Sequence, residues 1–114
     1  MELKKILSTE RLNRAMKLNR IFKYNLGIPC MTERRQVIDT GDYAITKILD
    51  IQLQGDNAVM WAEVTPCKGG THVTIEAVWT GECAPAASEM EYIATIQERT
   101  GLVYHYYVYN PYND

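Results

Sequence analysis

The sequence predicts an α+β fold: a single domain on an antiparallel sheet of about four to five strands, with an N-terminal basic helix and a second helix before the last strand. Three patterns carry this expectation. Apolar residues recur at helical spacing between Thr9 and Tyr24, they alternate with polar ones from Tyr43 to Trp79, and the chain closes on the aromatic run LVYHYYVYN. The length agrees with one domain, because 114 residues of which 46% are hydrophobic can bury most of their apolar surface in one core.

The first helix is expected over residues 9–24. Ser8 or Thr9 offers a side-chain oxygen to an orphan N–H at its start, and Asn25-Leu26-Gly27 supplies a stop. Leu12, Ala15, Met16, Leu18 and Phe22 fall on one face of it, with Asn13, Arg14, Lys17 and Arg20 opposite. Basic residues recur at every third position, at Arg11, Arg14, Lys17, Arg20 and Lys23. Three residues on a 3.6-residue turn fall about 60° short of a full circle, so only Arg14, Lys17 and Arg20 form a flat patch. Ile21 lands among those charges, and an apolar side chain there marks the basic face as a contact surface.

A loop holding Pro29 and MTERRQ follows, then a short strand near Val37. In the next strand Tyr43, Ile45, Leu49, Ile51 and Leu53 alternate with Ala44, Thr46, Asp50 and Gln52, interrupted at Lys47 and Ile48. Gln54-Gly55-Asp56-Asn57 is turn chemistry. Ala58, Met60, Ala62 and Val64 then share a face of a second strand, and Val73, Ile75, Ala77 and Trp79 a face of a third. Pro66-Cys67-Lys68-Gly69-Gly70 between them reads as a hairpin turn, which makes the three strands an antiparallel meander. The second helix is expected over residues 86–100, opened by Pro85 and Ser88-Glu89, closed by Gly101, with Met90, Ile93, Ala94 and Ile96 as its apolar arc. The last strand is expected to be central, because both of its faces are apolar or aromatic. A small OB- or SH3-like barrel is the alternative architecture.

The net charge of -2 conceals an asymmetry. Residues 1–35 hold nine Lys/Arg against three Glu, a net of +6, and residues 36–114 hold three against eleven acids, a net of -8. A basic arm thus precedes an acidic body, and the sequence pI of about 5.7 weighs against a long polyanion as ligand. MELKKIL is too short and too charged for a signal peptide, and no run approaches the ~18 apolar residues of a membrane helix, so a cytoplasmic protein with no membrane partner is expected. Cys30, Cys67 and Cys83 are odd in number and widely spaced, which favours reduced thiols.

No phosphate loop, dinucleotide fingerprint, paired-carboxylate motif or serine elbow occurs, and no cofactor is expected. A metal site or a Cys–His nucleophile pair would have to be assembled from Cys67, Cys83, His72 and His105, whose spacings match no zinc module. No catalytic or metal-ligating residue is therefore assigned. Two surfaces remain as partner-binding candidates. One is the patch of Arg14, Lys17 and Arg20 with Ile21; the other is the polar side of the last strand, His105, Tyr107 and Tyr109. If the last strand pairs with the third, those residues lie beside His72, Thr74 and Glu76. The expected function is non-catalytic binding by surface complementarity to a protein with an acidic surface, or to a second copy in a homodimer. Small charge-polarised domains of this kind are common among phage and mobile-element accessory proteins, such as inhibitors of host systems or assembly subunits. A nucleic-acid-binding module using the basic helix and the Tyr-rich strand is the second reading, and a small Cys/His enzyme or metal protein the third.

Overall fold

Every long element of residues 19–86 and 89–109, the part of the chain described by the computed structural model, is a β-strand. The order is β1 Arg20–Gly27, a 3₁₀ turn Pro29–Met31, β2 Arg35–Asp39, β3 Tyr43–Gln54, β4 Asn57–Pro66, β5 His72–Trp79, β6 Met90–Gln97 and β7 Val103–Tyr109. They form two antiparallel sheets, β1-β4-β3 and β2-β5-β7-β6. One buried cluster joins them, with Ile51, Met60 and Val64 from the first sheet and Ile75, Tyr106 and Val108 from the second. The architecture is all-β, and the α+β expectation with its basic helix and second helix is corrected.

The helix expected over 9–24 fails at its C-terminal end; residues 9–18 lie outside the described residues. RIFKYNL alternates as a strand does: Leu26 is buried, Phe22 and Tyr24 pack against the core, and Ile21, Lys23 and Asn25 are exposed. Pairing runs from Arg20↔Val64 to Gly27↔Ala58 on β4. Backbone bonds and cross-strand contacts to a preformed neighbour outweigh helix-propensity differences of a few tenths of a kcal/mol per residue.

The second expected helix is β6, and a bulge explains the misreading. The register slips between Tyr92 and Ala94, inserting Ile93 into the strand, so Met90, Ala94 and Ile96 are buried while Ile93 packs against the core. Apolar residues at 90, 93, 94 and 96 mimic a helical arc although the backbone is extended. The interruption at Lys47 and Ile48 has the same cause. Two register shifts, Ile45/Lys47 and Ile48/Asp50, set Ile45, Ile48 and Ile51 three apart on the core side. Leu49, expected inside, is 43% exposed.

The β3–β4 hairpin forms at Gly55–Asp56 as the turn chemistry predicts, but the meander ends there. The segment after Pro66 is a corner that carries the chain from one sheet to the other, and β5 settles between β2 and β7. The strand near Val37 is β2, and β7 is central, between β5 and β6.

Tyr104 and Tyr106 belong to the core, at 1% and 0% exposure, and neither hydroxyl has a hydrogen-bond partner among the described residues. Burial is the main force holding the Tyr106 proton, followed by the charges of Tyr104 and Glu98, and its pKa is pushed well above 10.0. An unpartnered buried hydroxyl costs about 1–3 kcal/mol of desolvation that the folded state does not recover. Tyr106→Phe should therefore leave the unfolding free energy unchanged or raise it by about 1 kcal/mol in urea titration. A loss of several kcal/mol would mean that the hydroxyl has a bonding role.

Candidate binding face

Alternation along β7 sorts its side chains cleanly. Tyr104, Tyr106 and Val108 point into the core, and His105, Tyr107 and Tyr109 lie on the outer face of the four-stranded sheet. β7 pairs with β5, so Glu76 stands opposite Tyr107 and Val78 opposite His105. On the other side Tyr92 stands opposite Tyr107 and Thr95 opposite His105. One rung across all four strands is therefore Arg35, Glu76, Tyr107 and Tyr92.

Two devices organise this face. The first is a clamp on Glu76, which is 4% exposed. Arg34 Nε donates to its Oε2 at 2.9 Å, and Arg35 donates to its Oε1 from Nη2 at 2.7 Å and from Nε at 2.9 Å. Burial by itself pushes the Glu76 carboxyl up, but the hydrogen bonds and charges of the two guanidiniums outweigh it and hold the pKa below its ordinary 4.5. Arg34 also donates to the Cys83 carbonyl at 2.7 Å and lies 3.6 Å from Glu82, tying the start of the β5–β6 connection to this corner of the sheet.

The second device is a hydroxyl and imidazole chain. Tyr92 OH is 2.7 Å from Thr95 Oγ1, which is 2.9 Å from His105 Nδ1, and His105 Nε2 is 2.8 Å from Thr80 Oγ1. A neutral imidazole donates through one nitrogen and accepts through the other. A consistent arrangement has Tyr92 donating to Thr95, Thr95 to Nδ1, and Nε2–H to Thr80. The Tyr92 and Tyr107 rings meet edge to face, with centroids 5.8 Å apart. These contacts hold the His105 ring between Thr95 and Thr80 on the outer face.

The expected site residues thus separate. His105, Tyr107 and Tyr109 do share a face, with His72, Thr74 and Glu76 on the adjacent strand. Arg20 and Ile21 lie on β1 in the other sheet, where neighbouring side chains project to opposite sides and do not share the helix face expected for them. Arg14 and Lys17 lie outside the described residues. All three cysteines are free thiols, and no group of three or more His, Cys, Asp or Glu side chains converges among the described residues.

Sequence reasoning missed Tyr92 and Thr95, assigned to a helix, and the Arg34–Arg35 clamp, assigned to a loop. The β-branched content of YIATIQ was the available signal for the first. For the second there was none, because Arg34 and Arg35 meet Glu76 across about forty residues of chain.

The family described as a domain of unknown function (DUF7352) matches residues 17–113, a span that takes in all seven described strands. No curated protein and no solved structure matches the chain.

Proposed function

The chain belongs to the DUF7352 family, and we propose that it is a non-catalytic binding protein whose contact surface is the outer face of the four-stranded sheet. The observation that carries this reading is a patch on that face where Val37, Tyr92 and Tyr109 are 62%, 53% and 56% exposed beside Tyr107 and the braced His105. Aromatic side chains with a polar tip, held in place before binding, supply contact area at low entropic cost.

A protein partner is favoured over nucleic acid by the charges. Among the described residues seven Lys/Arg stand against eleven Asp/Glu, a net of -4, and Arg34 and Arg35, the cations nearest this face, are engaged by Glu76. Phosphate contacts need free cations, which the described residues of the patch do not offer. The acidic-partner expectation rests on Arg14 and Lys17, outside the described residues, and on Arg20 of β1, and is kept as a secondary contact. An accessory role in the cytoplasm, as an inhibitor or assembly subunit, fits a surface of this kind.

The test is recapture of one identified partner by the intact chain and by the Tyr92→Ala/Tyr109→Ala double variant. Exposed anchors of this type are worth about 2 kcal/mol each when they are hot spots, so affinity should fall at least about thirtyfold while the thermal midpoint moves by only about 3 °C. Equal affinity would remove this face from the site. Retention on single-stranded nucleic acid that weakens steeply with salt would favour the nucleic-acid reading instead.

A further inference from the structure

At one end of the sandwich three connections enclose a cleft of about 330 Å³. Ile28 and Cys30 come from the link after β1, Leu53 from the end of β3 and Asp56 from the turn that follows it, and Glu98 and Arg99 from the β6–β7 turn. It lies apart from the tyrosine patch, and nothing in its reading depends on that patch.

Glu98 is the unusual residue here. It is 8% exposed, a burial that charged side chains show almost only when paired. Its Oε1 accepts the Cys30 N–H at 3.1 Å and its Oε2 accepts the Thr100 hydroxyl at 3.2 Å. A carboxylate has about four acceptor positions, so roughly half of its capacity is unused. No Lys, Arg or His lies within 4.0 Å of it among the described residues; the adjacent Arg99 instead reaches Asp56 at 3.8 Å, with side chains 82% and 63% exposed at the rim. A second group behind Glu98 is also short of partners. The Tyr104 hydroxyl is buried with no hydrogen-bond partner among the described residues, and burial first and then the charge of Glu98 raise its pKa.

A buried carboxylate with no cation within 4.0 Å among the described residues, apolar walls from Ile28 and Leu53, and room for a group about the size of an arginine side chain define a specific complement. We propose that the cleft binds an alkylammonium or alkylguanidinium group, with its charged head on Glu98 and its stem along Ile28 and Leu53. The cation supplies the donors that Glu98 lacks.

The experiment uses the full reduced chain with n-butylammonium chloride, Nα-acetyl-arginine methylamide and, as the uncharged comparison, n-butanol. Amide shifts at Cys30, Gly55 and Thr100 are followed by NMR, and the rate of Cys30 alkylation by N-ethylmaleimide is measured against Cys83 in the same sample. At least one cation should shift the cleft amides saturably and slow Cys30 alkylation about threefold or more, leaving Cys83 unchanged. Binding of the blocked arginine alone assigns the ligand to a peptide side chain, and binding of butylammonium alone assigns it to a free amine; either supports the site. Loss of a charge-assisted hydrogen bond predicts that Glu98→Gln weakens binding about tenfold or more. If that variant does not fold, protection of Cys30 in the wild-type chain decides the matter. No saturation with either cation, an equal response to n-butanol, or a folded Glu98→Gln that binds like wild type would overturn the proposal.

Discussion

Gly70→Ala should lower stability by about 3 kcal/mol or more, a fall of at least about 10 °C in the thermal midpoint. Gly70 sits at φ +64° in the corner between β4 and β5, and a Cβ built there would land on the Gly41 carbonyl oxygen of the β2–β3 turn. The two turns cannot separate cheaply. Thr40, 4% exposed, donates its N–H to Thr71 O at 3.2 Å and accepts the Thr71 N–H on its hydroxyl at 3.0 Å. The same hydroxyl lies 2.6 Å from Tyr43 O and 2.8 Å from Thr71 O, so its one proton always has an acceptor. Cys67 N–H to Asp42 O at 2.8 Å adds a further tie. Gly69→Ala separates the two contributions. Its φ of +85° carries the left-handed cost of about 1–2 kcal/mol, but open space surrounds its position. Equal losses for the two variants, measured by urea denaturation, would show that the turn contact is not what constrains Gly70.

Removing both guanidiniums from Glu76 should cost about 3 kcal/mol at neutral pH, and the loss should shrink as the pH falls. Breaking a buried pair by deleting the cations costs about 3–5 kcal/mol, and the lower end applies because Arg34 and Arg35 are 41% and 61% exposed in their side chains. In the wild-type chain the folded-state pKa of Glu76 is depressed below 4.5. The clamp's contribution is therefore fully present above that value and is lost as pH falls through the lower, folded one. With Arg34→Met and Arg35→Met, burial acts unopposed and pushes the carboxyl above its ordinary value. The variant then gains relative to wild type on acidification, because protonation removes a charge that only the variant leaves buried and unpaired. Urea midpoints of both proteins at pH 7 and pH 4 test this, and a gap that stays constant between them would rule the clamp out as the cause.

The period-two segments from Tyr43 to Trp79 were legible because each strand has one wet and one dry face, and alternation records that directly. The central position of β7 was legible too, from the density of aromatic residues on both sides of LVYHYYVYN. The helices were not. In RIFKYNL the alternation is present but follows a stretch with helical spacing, and only the pairing with β4 reveals that residues 20–24 of the expected helix are strand. In MEYIATIQ the bulge at Ile93 placed apolar residues at helical intervals, and bulges arise from the partner strand's register and not from local preference.

The candidate faces divide in the same way. That His105, Tyr107 and Tyr109 would share a surface followed from alternation alone. That Tyr92 and Thr95 would brace them, and that Arg34 and Arg35 would be consumed by Glu76, depended on which strands lie side by side.

By itself the sequence determined the strand content of the middle of the chain, the shared inward face of Ala58, Met60, Ala62 and Val64 on β4 and of Val73, Ile75 and Ala77 on β5, and the lack of any recognisable catalytic motif, because all of these are local patterns. The tertiary structure alone decided that β4 and β5 part into different sheets, that Glu76 is neutralised, and that Glu98 is buried without a cation among the described residues. Each of those depends on groups that meet only when distant segments pack, and no periodicity along the chain encodes which partner a buried charge will find.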